Sequence, residues 1–281
     1  MNKEFERVAG ALRNRITDGT YSLGASLPSQ RDLASEFGVS RDTVQRALRN
    51  LVGEGWIQSR QGSGSRVIKN QRIQSTAPKA TRYYGGATLG PLISEAFERS
   101  EVTLDVYTLT SESLDAHIRL QVERIRGGFI QPRHITLRML LPGEGEQLPY
   151  PRARDDASDP RPGQRLRAVT RRHTDSLRSQ LKALRTEMLV PSVDFEVRHT
   201  SLVPAFKLYL LNGTEALHGM YEVIPRPMEL DSGEVIDSLD VLGLGATLTH
   251  HVKNEDRNSA GSVFVDSMQA WFNSVWDRLS E

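Results

Sequence analysis

The chain of 281 residues contains no cysteine. That excludes a disulfide framework and any thiolate metal site. No apolar run approaches the roughly 20 residues that a membrane-spanning helix requires. The N-terminal stretch MNKEFERVAGALRNRI lacks the apolar core and cleavage site of a secretion signal. These absences lead us to expect a cytoplasmic protein with no membrane partner. There is no internal repeat, no P-loop and no dinucleotide fingerprint. His117, His134, His173, His199 and His218 do not fall at metal-ligand spacings, and His250-His251 precede a polar loop. We therefore expect no metal, no cofactor and no catalytic residues.

Charge is nearly balanced, with 36 basic and 35 acidic residues, but it is unevenly spread. Residues 1–75 hold twelve basic and seven acidic side chains, an excess of five, and the remainder is slightly acidic. A basic head on an acidic body suits binding to nucleic acid through one end. The length fits two domains.

The basic head has a legible local code. Phe5, Val8, Leu12 and Ile16 fall on one face of an N-terminal amphipathic helix. Pro28 and Ser29 open a second helix with Leu33, Ala34 and Phe37 on its buried face, and Gly38 ends it. Ser40 caps a third helix whose apolar positions are Val44, Ala47, Leu48 and Leu51, closed by Gly53 and Gly55. Trp56 and Ile57 begin a strand, and residues 59–66 form a hairpin rich in glycine and arginine. Such an order sets a helix N-terminus beside a basic wing, as a DNA-binding head requires. On the third helix Ser40, Arg41, Asp42, Thr43 and Gln45 are the exposed candidates for DNA contact. Arg41 suits guanine or phosphate, and Gln45 suits adenine. Arg31 on the preceding helix and Arg60, Gln61, Gly62, Gly64 and Arg66 on the wing complete the set.

These residues resemble the winged helix-turn-helix of the GntR family of bacterial transcription regulators. The family pattern L-P-S-E-R-x-L-A-x-x-x-G-V-S-R-x-T-V-x-x-A-L-x-x-L-x-x-x-G is matched almost throughout, with Gln30 at the usual glutamate. The resemblance implies DNA-contact positions at Arg31, Arg41, Thr43, Gln45 and Gly62. Gln45 stands where relatives often carry arginine, which would alter base preference.

Residues 71–87 read as a linker, polar and marked by Pro78 and a double glycine. Residues 88–281 read as an α/β effector-binding and dimerisation domain, giving an α+β chain of two domains. Helical patterns cover 89–99 and 111–126, and strand patterns cover 102–109 and 135–141, a β-α-β order with parallel neighbours. Residues 143–163, rich in Pro, Gly and charge, read as a mobile loop, either a lid or a tolerated insertion. Residues 164–188 form a long helix with a stripe of Leu166, Val169, Leu177, Leu181, Leu184 and Met188 and basic outer faces. Strands over 193–198 and 206–211 are expected to pair, Asn212-Gly213 is a hairpin signal, and 216–223 is a further strand. A helix over 263–279 closes the chain, with Val263, Met268, Trp271, Phe272, Val275 and Leu279 lining a core or a dimer seam.

The segment AFKLYLLNGTEALHGMY resembles the core of phospholipase D-type domains, whose motif is H-x-K-x-x-x-x-D. Ala205, Lys207 and Asn212 fall in that register, with Gly219-Met220 at the later turn. Without a histidine nucleophile the resemblance implies a relic, in which Lys207 still binds an anionic effector or merely faces solvent. A chorismate-lyase-like body is the rival architecture.

The sequence thus points to a sequence-specific regulator of the GntR type. We expect a ligand-responsive dimeric repressor on a pseudo-palindromic double-stranded DNA operator, with an unidentified small-molecule effector. The alternatives are a DNA-tethered phosphodiesterase or nuclease, and a DNA-binding regulator with no small ligand.

Overall fold

A computed structural model describes residues 3–17, 20–21, 25–53, 56–60, 64–67, 73–75, 89–230, 233–241, 243 and 247–281. The head consists of α1 (Lys3–Thr17), α2 (Gln30–Phe37), α3 (Arg41–Gly53), β1 (Ile57–Arg60) and β2 (Gly64–Val67). Val8, Leu12 and Ile16 of α1 and Val44, Ala47 and Leu51 of α3 are fully buried, with Leu33 of α2 between them. Trp56, Ile57 and Val67 close this core from the wing side. The two wing strands pair antiparallel from Ile57–Val67 to Arg60–Gly64. Residues before α2 add a third, short strand-like segment: Leu27 N–H donates to the Ser65 carbonyl at 2.8 Å, and Val67 N–H donates to Ala25 at 2.9 Å.

The body is built on a seven-stranded mixed sheet. Its strands are β3 (Ile73–Ser75), β4 (Glu101–Tyr107), β5 (His134–Pro142), β7 (Ser192–Thr200), β8 (Phe206–Leu211), β9 (Glu215–Met220) and β12 (Leu248–Val252), in the order β3-β12-β9-β8-β4-β5-β7. Strands β4, β5 and β7 are parallel, joined through α5 (Glu112–Arg126) and α6 (Arg161–Thr186). The expected β-α-β order is therefore present. One face of the sheet buries Val102, Leu104 and Val106, then Ile135, Leu137 and Met139, under α4 (Leu89–Ala96), α5 and α6. The alternate residues Tyr107, Leu140, Leu208 and Leu210 face α7 (Ala260–Arg278) through Phe272, Val275 and Trp276. Period-two alternation thus serves two apolar cores, one on each face. A separate three-stranded sheet holds β10 (Val223–Glu229), β11 (Val235–Val241) and β6 (Arg152–Ala153).

Five expectations need correction. Strands 193–198 and 206–211 do not pair; β7 lies beside β5, whereas β8 runs antiparallel between β4 and β9. The long α6 crossover returns the chain in parallel, which places β7 on the far edge. Ile73–Ser75, inside the expected 71–87 linker, pairs parallel with β12 and joins the body sheet. The 143–163 segment is packed onto the body rather than extended away from it as an excursion. Leu148 and Tyr150 pack with Leu109, Val241, Leu166 and Tyr221, the Tyr150 hydroxyl donates to the Pro204 carbonyl, and β6 pairs with β11. Arg161 pairs with Asp159 inside the segment and with Glu234 outside it, each at 2.7 Å. Met188 does not extend the α6 stripe; it is 88% exposed and its backbone is left-handed, so the helix has ended. On α7, Val263 and Leu279 face solvent, so they do not line the core that Phe272, Val275 and Trp276 form. The Asn212-Gly213 turn does form the β8–β9 hairpin, both residues having positive φ (51° and 63°) as the tight hairpin turn demands.

His117 on the inner face of α5 is 3% exposed, and burial pushes its pKa down to about 3. It folds neutral, so its contribution is complete above its ordinary value of 6.5 and is lost as pH falls toward 3. We expect this residue to cost the native state on the order of 1–2 kcal/mol between pH 6.5 and about pH 5. Chemical denaturation of wild type and His117→Leu across that range checks it: the variant loses less stability, and parallel pH slopes contradict the assignment.

Candidate nucleic-acid interface and body cavities

The geometry of the head follows from its caps. Ser29 accepts from Asp32 N–H at 3.2 Å and starts α2; Gly38, at φ 64°, stops it in the left-handed region. Ser40 Oγ accepts from Thr43 N–H at 3.1 Å, and the Ser40 and Thr43 hydroxyls are 2.9 Å apart. Both hydroxyls are thus committed to starting α3. They hold the helix N-terminus, whose remaining free N–H groups and dipole favour a phosphate. Arg31, Arg41, Asp42 and Gln45 are exposed around this end, and Arg66 is exposed on β2. Among the described residues no ion pair holds Arg31, Arg41 or Arg66. Gly64, at φ 76°, takes a backbone that a side chain would strain, and it leaves the wing thin beside Arg66. The Arg60 side chain and Gln61 and Gly62 lie outside the described residues.

Not every basic residue of the head serves this face. Arg7 donates to the Phe37 carbonyl at 2.7 Å, Arg13 to Asn50 Oδ1 at 2.8 Å, and Arg15 to Glu36. Arg46 lies over the Phe5 ring at 5.5 Å. These arginines bind the helices to one another. The sequence counted them in a charge excess without separating the two uses; their positions on the α1 side of the motif were the available signal.

In the body, two cavities open where β4, β5 and β7 end. The larger, about 520 Å³, lies between the carboxyl ends of β5 and β7, the 143–160 segment and α6. Leu148, Tyr150 and Leu166 supply apolar wall, while Arg167, Arg171, Arg178 and His199 add basic groups. Glu144 binds Arg171 at 2.7 Å, and Asp175 binds Arg178 at 3.2 Å. The smaller cavity, about 110 Å³, lies at the end of β4 and holds Lys207, Tyr209 and Tyr221. Neither cavity was visible in sequence, because their walls come from segments far apart in the chain, Leu109 and His199 in the larger and Arg13 and Gly243 in the smaller.

Lys207 does not face solvent. It is 3% exposed and donates to the Gly243 carbonyl. Burial lowers its pKa to about 7. Asn212 sits five residues away at the other end of β8, about 17 Å along the strand. There its side chain accepts from Thr103 N–H at 2.8 Å and donates to the Ala96 carbonyl at 3.1 Å. Ala205 offers no nucleophile. The three motif positions therefore do not form one reactive centre. Among the described residues no group of three His, Asp or Glu could hold a metal ion, and no helix is long and apolar enough to cross a membrane.

Loss of the α3 cap should be measurable. Ser40→Ala is expected to destabilise the head by about 1 kcal/mol, and Ser40→Asp to restore most of it. Thermal unfolding checks this; equal melting temperatures for Ser40→Ala and wild type contradict the capping role.

Residues 5–67 match the model of bacterial regulatory proteins, gntR family. The uncharacterized HTH-type transcriptional regulator YdfD of Bacillus subtilis is 30% identical over 120 residues, which is 41% of this chain and 25% of that protein. The Exu regulon transcriptional regulator of Escherichia coli is 40% identical over 88 residues, 31% of this chain and 33% of that protein. The crystal structure of AraR(DBD) in complex with operator ORX1 is 31% identical, with a TM-score of 0.23, over 23% of this chain and 78% of that one. The chain thus spans a quarter to a third of the length of these curated relatives. None of these matches supports the phospholipase D-type resemblance of residues 90–280. Residues 5–67 are a winged helix-turn-helix domain of the gntR family of bacterial regulatory proteins.

Proposed function

We propose that the chain is a sequence-specific DNA-binding transcription regulator, acting as a dimeric repressor whose body holds a small-molecule effector. The observation that carries this reading is the outward face of α3. Its N-terminus is capped, Arg41 and Gln45 project from it, and Arg66 stands on the adjoining wing. A helix so presented fits the major groove, with the wing on neighbouring backbone. Two copies would read the two halves of a pseudo-palindromic operator, as two-fold symmetry requires.

The effector reading draws on the body cavities. They lie beyond the carboxyl ends of parallel strands, where α/β sheets most often hold ligands. The larger has the size and the mixed lining of a metabolite site. An effector acts only if it binds one arrangement of the heads better than another. A DNA-tethered phosphodiesterase or nuclease is the weaker reading, since Ala205 supplies no nucleophile. In the reading preferred here the chain is not an enzyme.

Arg41→Ala should weaken binding to a selected operator by about 1–3 kcal/mol, roughly 5- to 150-fold in Kd. Fluorescence anisotropy at fixed salt measures it. Unchanged affinity would remove Arg41 from the interface and the groove-docking assignment with it.

A further inference from the structure

Lys207 is a buried amine, an ammonium when protonated, with no carboxylate partner among the described residues. Its three N–H groups have one acceptor among the described residues, the neutral Gly243 carbonyl, and its Nζ lies 5.7 Å from the centre of the Tyr221 ring. Burial of a charge is costly unless an opposite charge meets it. The surroundings supply the wrong sign. Arg165 and Arg172 of α6 line the same cavity, and neither is in an ion pair among the described residues. The two carboxylates of the lining are already engaged: Asp240 accepts from Arg226, with Nε at 2.8 Å, and Glu112 lies 3.5 Å from Arg13 Nε. Five cationic side chains therefore meet two acidic ones in this space. The remaining wall mixes hydroxyl groups with the apolar side chains of Leu109, Val169 and Met228. Tyr221 accepts from Leu109 N–H at 2.9 Å, and its oxygen is 3.0 Å from Thr108 Oγ1.

We propose that this cavity is an anion site, in which the carboxylate or phosphate group of a small metabolite sits between Lys207 and the Arg165–Arg172 face of α6. The space of about 110 Å³ suits one such group rather than a whole cofactor. Leu109, Pro151 and Leu166 are shared with the larger cavity, so the rest of the molecule has room beyond them. A depressed Lys207 pKa is what burial without a counter-ion produces, and an arriving anion reverses it. Because Arg13 belongs to α1, the anion meets the head and the body at once. This deepens the effector reading above and rests on it for its regulatory sense.

The test uses the full chain with inorganic phosphate and with succinate at millimolar concentration, against sodium chloride of equal ionic strength. One of the two anions is expected to raise the melting temperature by about 5 °C at a hundredfold excess over its Kd. Which anion does so tells phosphate recognition from carboxylate recognition. The rise should vanish in Lys207→Met, which fills the site without a charge, and shrink in Arg172→Gln, which alters only an exposed side chain. A rise of equal size in Lys207→Met, or no rise with either anion in wild type, overturns the anion site. Operator binding by wild type is measured in the same buffers. If it is present while the anions have no effect, the regulator reading stands and only this proposal falls. If it is absent, the regulator reading falls separately. A bound anion is further expected to change operator Kd at least fivefold; an unchanged Kd with a clear melting shift overturns the link through Arg13.

Discussion

An α-helix of this size has one apolar stripe, and whatever covers that stripe decides where the rest of the helix points. On α3 the stripe is Val44, Ala47, Leu48 and Leu51, covered by Val8, Leu12 and Ile16 of α1. Each of the valine, leucine and isoleucine side chains contributes roughly 1.5–3 kcal/mol when removed from water. Among the described residues of the head no surface hydrogen bond or ion pair competes with that sum. The rotation of α3 is therefore fixed by apolar burial, and Arg41, Gln45 and Arg49 must project outward. The caps at Ser40 and Gly38 then set where the helix begins, and the wing strands set what stands beside it.

The body obeys the same logic with a sheet in place of a helix. One face of β4, β5 and β8 is apolar under α4, α5 and α6; the other sets an apolar cluster against α7 beside a buried Asp105–Arg138 pair that Gln269 and Asn273 of α7 join. Further polar chemistry lies at the strand ends. It collects at the end of β4, where the parallel neighbour β5 meets the antiparallel neighbour β8. The two cavities border that point. Arg13 of α1 reaches the same place, facing Glu112 at the start of α5. Head and body thus touch beside the smaller cavity, through Arg13 and Glu112.

Local signals were legible in sequence and long-range ones were not. Ser29, Gly38 and Ser40 mark the helix ends of the head because capping depends on residues three or four apart. Asn212-Gly213 marks its hairpin for the same reason. Strand partners carry no such mark: nothing in VDFEVR says that it lies beside Ile135–Leu141 rather than beside FKLYLL. The 143–163 segment looked unstructured because its charge and proline content is that of a solvated chain. Its anchors, Leu148 and Tyr150, are two residues in twenty-one. Lys207 was legible as a motif position, yet its environment came from Gly243, Tyr221 and α6, and sequence neighbours contain none of these. The resemblance to a phospholipase D-type core rested on spacing along one hairpin. In the fold that spacing separates Lys207 from Asn212 by the length of β8.

The central claim is that the capped end of α3, with its wing, reads base sequence. Selection of duplexes from a randomised DNA library by the full chain, followed by competition with unselected DNA at constant salt, tests it most directly. The account predicts enrichment of one short motif, bound at least a thousandfold more tightly than random duplex, as specific recognition requires. Recovery of no motif, with equal affinity for selected and random DNA, would contradict it.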